Sequence, residues 1–130
     1  MSEPVWLSVE LVKALHEEQL REYGGPAGIR DQGMLESALA RAPNNWAYGE
    51  RDIAALAAAY AHGVAKNPPL VDGNKRAALL SLVTFLGLND IDFVASEAEA
   101  VVMILGLASG EIEEEGLTRW IRDNWPSRSA

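Results

Sequence analysis

The segment that carries most of the reactive side chains runs from residue 68 to residue 76 and reads PPLVDGNKR; we call it the phosphate loop. It leads directly into an apolar helical run, residues 77–88. The start of a helix exposes backbone N–H groups and the positive end of the macrodipole, so it favours anions and disfavours cations. Lys75 and Arg76 nevertheless fall in the first turn. Two cations at a helix start are explained if a phosphate group binds between them.

Each polar residue of the phosphate loop also has a simpler interpretation. Gly73 lets the backbone approach a ligand oxygen, or it is only a turn glycine. Asp72 holds Mg²⁺ together with phosphate oxygens, or it is the N-cap of the helix. Asn74 donates its amide to a phosphate or caps the helix, while Lys75 and Arg76 pair with phosphates or form surface ion pairs. The combination at this spacing favours phosphate binding.

The composition limits the class of protein. A chain of 130 residues is long enough for one domain, residues 1–130, with a single core. A formal net charge of −8 argues against a nucleic-acid-binding surface but leaves room for one basic pocket. The absence of cysteine excludes disulfides and thiolate metal sites. There is no signal-peptide pattern and no apolar run near the roughly 20 residues that cross a bilayer. We therefore expect a soluble, cytoplasmic protein.

Periodicity and capping residues predict an all-α domain of six helices. The first predicted helix is capped by Ser8 and ends near Tyr23, the second is capped by Asp31 and ends near Arg41, and the third is opened by Asp52 and ends near Lys66. The fourth runs from about Asn74 to Leu88, the fifth is capped by Ser96 and ends near Ala108, and the sixth contains Leu117, Trp120 and Ile121. The fourth helix is apolar on nearly every side after its first turn, which is typical of a helix at the centre of a bundle. Its N-terminus should present the phosphate loop at the surface.

Three further segments carry weaker signals. Residues 42–50 are predicted to form a loop whose aromatic residues, Trp46 and Tyr48, either make a docking surface or close over the core. Residues 91–94 are predicted to be extended. The acidic run 111–115 is interpreted as a solvated helix start that suits the dipole.

Residues 71–79, VDGNKRAAL, resemble the signature of the Fic/Doc superfamily. The likeness is closest to the death-on-curing (Doc) toxins, whose motif reads His-x-Phe-x-Asp-Gly/Ala-Asn-Lys-Arg. Similar segments lie before the motif at residues 16–19, 23–25, 28–31 and 35–41, and after it at residues 85–89. The resemblance covers nearly the full chain and implies a six-helix Fic/Doc-type domain around a central hydrophobic helix.

The resemblance also implies an activity that uses ATP and Mg²⁺. Fic proteins generally transfer AMP to a protein hydroxyl. Doc-type members, with Lys where most Fic proteins have Gly, instead transfer phosphate from ATP to elongation factor Tu and arrest translation, and a Phd-type antitoxin holds them in check. Carried over to this chain, Asp72 would serve Mg²⁺ or the reacting hydroxyl. Gly73, Asn74, Lys75 and Arg76 would hold the ATP phosphates, which suits a reaction that depends on positioning and on neutralising charge.

One departure from the motif concerns the general base. Pro68 stands where the family has its histidine, and Leu70 stands where it has phenylalanine. Proline cannot accept a proton, and a positioned base is typically worth about 10²–10⁴ in rate. We therefore predict a catalytically inactive chain that still binds nucleotide and partners. His62, one turn before the end of the third helix, and His16, on the apolar side of the first, are both interpreted as packing residues rather than as replacements.

Three functions remain open from the sequence. The first is a Doc-type kinase toxin whose base has been lost, and Lys75 in place of glycine favours it. The second is a Fic-type adenylyltransferase. The third is a non-catalytic pseudo-toxin that binds an antitoxin or the target of the toxin. Pro68 is either natural to the chain or a detoxifying substitution, and the ordinary residues on both sides of it favour the substitution.

Overall fold

The computed structural model describes residues 2–26, 28–67, 69–70 and 73–125. It contains the helices α1 (Val9–Tyr23), α2 (Gln32–Ala47), α3 (Ile53–Lys66), α4 (Asn74–Leu88), α5 (Glu97–Ser109) and α6 (Glu114–Asp123). The described residues form no strand, only an isolated antiparallel bridge between Ile29 and Leu70. These observations confirm the all-α, six-helix prediction. Within the same ranges, no helix is long and apolar enough to cross a membrane.

Four helices begin at the capping residue that the sequence predicts, namely Ser8, Asp31, Asp52 and Ser96. In each case the side-chain oxygen accepts a hydrogen bond from a backbone N–H of the first turn, which the helix itself leaves without a partner. The Glu99 N–H donates the capping bond to Ser96 at 3.1 Å, and a capping box would direct the Glu99 side chain back to Ser96. The Glu99 carboxylate accepts a hydrogen bond from Trp120 Nε1 at 2.9 Å, and so ties α5 to α6.

Helix α2 is longer than predicted. It continues through Pro43 to Ala47, so the predicted loop at residues 42–50 is wrong for all but its last three residues. Proline removes one hydrogen bond from the helical ladder. However, Ala42 is fully buried, and the ring of Trp46 packs edge-on against Trp6 with 6.1 Å between centroids. Burial of Ala42 and Trp46, on the two sides of the proline, stabilises the helix by more than the lost hydrogen bond costs.

The segment at residues 91–94, which we predicted to be extended, belongs to no strand. It is instead held to the end of α6, because the Val94 N–H donates to the Asn124 carbonyl at 3.0 Å. This hydrogen bond therefore holds the segment between α4 and α5 against the end of α6.

The most buried helix is α3 rather than the predicted α4. Nine of the 14 residues of α3 are buried, against six of the 15 residues of α4. Helix α3 packs against α2, α4, α5 and α6. Its sequence is rich in alanine, so neighbouring helices can approach it from several sides. Helix α4 packs along it with an exposed first turn, as predicted.

Replacing Gly63 with alanine is expected to destabilise the fold by about 1–3 kcal/mol, although alanine normally favours a helix interior by about 1 kcal/mol. An added Cβ would lie 3.0 Å from the Ala38 carbonyl oxygen and 3.1 Å from the Ala38 Cα, and this backbone cannot move aside without separating α2 from α3. The matched control is Gly87→Ala, because nothing lies within 4 Å of an added Cβ there. Urea unfolding should show a loss of stability for Gly63→Ala and a gain of about 0.5–1 kcal/mol for Gly87→Ala. Equal effects at the two positions would contradict the close α2–α3 crossing.

Candidate phosphate-binding site

The described end of the phosphate loop lies at the exposed start of α4. Gly73 is the N-cap, with φ of 78° and ψ of 19°, a left-handed conformation that favours glycine. No side chain among the described residues caps this helix. The first intrahelical bond runs from the Ala77 N–H to the Gly73 carbonyl at 2.9 Å, so the N–H groups of residues 74–76 lie outside the ladder. This is the arrangement in which a helix start binds an anion.

The two cations of the first turn have different neighbours. The guanidinium carbon of Arg76 is 5.0 Å from the ring centroid of Tyr23, at the end of α1. Lys75 borders a cavity of about 620 Å³ along the C-terminal half of α5, which is also lined by Ser109 and Glu111. Both cations are exposed. An anion at the helix start would therefore have two positive side chains nearby.

Asn74 closes the phosphate loop onto Leu70. Its Oδ1 accepts a hydrogen bond from the Leu70 N–H at 2.9 Å, and its Nδ2 donates to the Leu70 carbonyl at 3.1 Å. One carboxamide therefore satisfies both backbone polar groups of a residue that is only 1% exposed. Sequence reasoning missed this role. The bond to the Leu70 carbonyl uses one of the two amide hydrogens of Asn74. The contact of the other hydrogen with a phosphate stays a prediction.

The segment before α2 holds the same loop from the other side. The N–H groups of Arg30 and Asp31 donate to the Pro69 carbonyl at 2.7 and 3.0 Å, and Ile29 pairs with Leu70 in the antiparallel bridge. These contacts join residues about 40 positions apart. No local sequence signal indicates them, because they use backbone atoms that every residue has.

His16, and not His62, contacts the described part of the phosphate loop. Its Cε1 lies 3.3 Å from the position that a Cβ on Gly73 would take, and the residue is 5% exposed. His62 lies beside Glu114, with 3.6 Å between its Nδ1 and Glu114 Oε1, which is too long for a hydrogen bond. The prediction that His16 packs in the interior is confirmed by its burial.

Glu114 is an exception to the prediction that the acidic run 111–115 is solvated. It is half-buried and accepts a hydrogen bond from Arg41 at 2.8 Å, while Arg41 also donates to the Ala59 carbonyl at 2.8 Å. Arg41 therefore links α2, α3 and α6. The other acids of the run, at positions 111, 113 and 115, are exposed as predicted.

The free energy of unfolding is expected to decrease as pH falls below about 6.5, and His62→Gln should reduce that decrease. Burial lowers the pKa of His62 from its ordinary 6.5, and the charges of Arg41 and Lys66 lower this pKa further, against the opposing effect of Glu114. The unfolded chain therefore takes up the proton first as pH falls, and protonation favours unfolding. Urea unfolding at pH 8 and pH 5 for both proteins measures the difference. A parallel loss in the two would assign the pH dependence to other groups.

The two aromatic residues proposed as a docking surface behave differently. Trp46 is partly buried against Trp6, and the guanidinium carbon of Arg51 lies 3.9 Å from its ring centroid. Tyr48 is 91% exposed in the turn between α2 and α3. Trp46 thus closes over the core, and only Tyr48 keeps an exposed ring.

Two predicted site residues, Pro68 and Asp72, lie outside the described residues. Their roles, as the position of the missing base and as the Mg²⁺ ligand, stay predictions. Across the described ranges, no group of three or more acidic or histidine side chains is arranged to hold a metal ion. Mg²⁺ bound to phosphates commonly uses only one or two protein carboxylates.

Comparison with known proteins identifies the family. Residues 6–86, which include α1, α2, α3, most of α4 and the whole phosphate loop, match the model of the Fic/DOC family. The chain therefore belongs to the Fic/DOC family, which confirms the resemblance based on residues 71–79. It is 32% identical over 117 residues to the protein kinase doc of Escherichia phage P1, covering 89% of this chain and 92% of that protein. It is also 41% identical over 76 residues to the toxin Doc of Mycolicibacterium smegmatis, covering 56% of this chain and 58% of that protein.

Proposed function

We propose that this chain is a Doc-type toxin of a toxin–antitoxin module, in which Pro68 occupies the position of the general base. The observation that carries the proposal is the start of α4, where the left-handed N-cap Gly73 precedes N–H groups outside the helical hydrogen bonds and two cations, Lys75 and Arg76, in the first turn. This site lies inside the region that matches the Fic/DOC family. In the proposed enzyme class, it holds the phosphates of ATP.

The proposed reaction moves the γ-phosphoryl group of ATP to a hydroxyl of elongation factor Tu. The hydroxyl oxygen forms a bond to phosphorus, the bond to the β-phosphate oxygen breaks, ADP leaves, and the hydroxyl proton passes to a general base. The N–H groups of residues 74–76 and the side chains of Lys75 and Arg76 offset the negative charge of the phosphates. Asp72 is the proposed ligand of Mg²⁺, which would neutralise further phosphate charge.

The proposal includes catalytic inactivity of the present chain. Because proline has no proton acceptor, the hydroxyl would have no positioned base, while the phosphate-binding groups are all retained. The chain would then still bind ATP, elongation factor Tu and a Phd-type antitoxin, acting as a single domain in the cytoplasm. No direct contact with nucleic acid is part of the proposal.

Kinase activity is preferred to AMP transfer for two reasons. Lys75 stands where most Fic proteins have glycine, and a relative that covers most of the chain is described as a protein kinase. A lysine in the first turn adds a charge close to the phosphates that a glycine cannot supply. AMP transfer and a purely binding role are the alternatives that the test must separate.

The test uses purified Pro68→His protein, elongation factor Tu, Mg²⁺ and ATP labelled on either the γ- or the α-phosphate. Transfer of the γ-label alone supports the kinase. Transfer of the α-label would replace it with an adenylyltransferase. Transfer of neither label by a folded protein that still binds ATP would overturn the proposed enzyme and favour a binding module. The parent chain, assayed alongside, measures the background.

A further inference from the structure

We infer that Tyr23 is a positioning residue for the phosphate-binding Arg76. The inference rests on the proposed function, because it concerns the same phosphate site. It adds a role for α1, which supplies none of the predicted phosphate ligands. The relevant face of α1 carries His16 and Tyr23, and we call it the backing face.

The backing face contacts the start of α4 at two points. His16 and Tyr23 are seven residues apart, about two helical turns, so they project from the same side of α1. His16 lies against the N-cap, Gly73, and Tyr23 lies against Arg76 in the first turn. The end of α1 therefore runs beside the N-terminal turn of α4, with one contact at each end of that turn.

The Tyr23–Arg76 contact leaves the guanidinium able to bind an anion. The separation of 5.0 Å between the Arg76 guanidinium carbon and the ring centroid is within the range of a cation–π interaction. Stacking uses the flat face of a guanidinium, whereas phosphate oxygens bind its N–H edge. A guanidinium stacked by its flat face on the Tyr23 ring would keep this edge for the ligand.

Arg76 has an alternative environment on its other side. It borders, together with Lys75, a cavity of about 230 Å³ lined mainly by apolar residues of α4 and α5, namely Leu79, Val101, Ile104 and Leu105. A side chain that moves between the two environments loses more conformational freedom when it binds a ligand. Contact with the Tyr23 ring restricts the Arg76 side chain before the ligand binds. Less conformational freedom is then lost on binding, so anion binding should be stronger.

The first experiment measures the affinity of the intact chain for pyrophosphate and for ATP with Mg²⁺ by titration calorimetry. Tyr23→Leu removes the ring and is expected to weaken both affinities about two- to five-fold. Tyr23→Phe keeps the ring and is the matched control, expected to bind like the parent. Because Tyr23 is 60% exposed at a helix end, both variants should fold, which circular dichroism checks. An unchanged affinity for Tyr23→Leu, or an equal loss for Tyr23→Phe, would overturn the inference.

A double-mutant cycle separates this inference from the proposed function. In an Arg76→Ala background, Tyr23→Leu should cause no further loss, because the ring has no guanidinium to hold. An equal loss in both backgrounds would overturn the positioning role while leaving the phosphate site intact. If Arg76→Ala itself left both affinities unchanged, Arg76 would bind no phosphate and the inference would be overturned, whereas a site formed by Lys75 and the N–H groups of residues 74–76 would remain.

A spectroscopic readout tests the contact directly. In the parent and in Tyr23→Phe, the NMR signal of the Arg76 side-chain N–H should be shifted upfield by the ring, and Tyr23→Leu should remove the shift. A signal that is the same in all three proteins would overturn the inference, since a purely structural role of Tyr23 does not require the ring to face the guanidinium.

Discussion

Replacing Pro68 with histidine is expected to raise the rate of phosphate transfer by about 10²–10⁴ and to arrest the growth of cells that produce the variant. The phosphate-binding groups of the proposed site are already present in the chain, so the substitution adds only the missing proton acceptor. A general base acts on the transition state and contributes little to nucleotide affinity. The rate should therefore increase while the affinity for ATP stays near that of the parent.

The matched control for this experiment is Pro68→Ala. Alanine removes the ring constraint of proline and restores a backbone N–H, but it provides no base. Transfer and growth arrest with histidine alone would assign the effect to the imidazole. Comparable activity with alanine would show that the proline had distorted the loop, and the proposed role of a lost base would then be wrong.

Replacing Asn74 with alanine is expected to destabilise the fold by about 2–4 kcal/mol, the largest stability effect that we predict at the phosphate loop. Asn74 makes two hydrogen bonds to the backbone of the buried Leu70, and alanine would leave a buried N–H and a buried carbonyl without these partners. Urea unfolding monitored by tryptophan fluorescence measures the loss. A change below about 1 kcal/mol would mean that water replaces the carboxamide at no net cost.

The variant Asn74→Asp distinguishes the effect of position 74 on stability from its effect on ligand binding. The aspartate keeps an acceptor for the Leu70 N–H and places a negative charge at a helix N-terminus, which the dipole favours. Its second oxygen cannot donate to the Leu70 carbonyl, however, so part of the stability lost with alanine should also be lost here. The added charge should also repel phosphate, so the affinity for ATP is expected to fall by more than stability alone explains. An affinity equal to that of the parent would argue against a phosphate close to Asn74.

The parts of the fold that the sequence predicted correctly depend on local interactions. Ser8, Asp31, Asp52 and Ser96 cap their helices through bonds to residues two or three positions away, and such bonds are encoded by adjacent side chains. The family followed from the sequence in the same way, because its motif is nearly contiguous at residues 71–79.

The errors concern interactions that adjacent residues do not encode. The sequence predicted that α2 ends near Arg41, but burial of Ala42 and Trp46 keeps the helix intact beyond it, through Pro43. The apolar composition of α4 suggested a central position, yet the small residues of α3 allow closer packing on more sides. At the site, the contact between His16 and Gly73 depends on how α1 packs against α4, which periodicity alone cannot give.

The contacts that hold the described part of the phosphate loop bear on how this protein can evolve. Pro69 is held through its carbonyl, and Leu70 through both its N–H and its carbonyl, so at these two positions the contacts use backbone atoms, while the bonds to Leu70 also require the carboxamide of Asn74. A change of side chain at position 69 or 70 can then leave these backbone contacts in place. Under the proposed function, active and inactive versions of such a protein would differ by a single codon change at position 68 rather than by a reorganised fold. A lineage could lose its toxicity and regain it without passing through an unfolded intermediate.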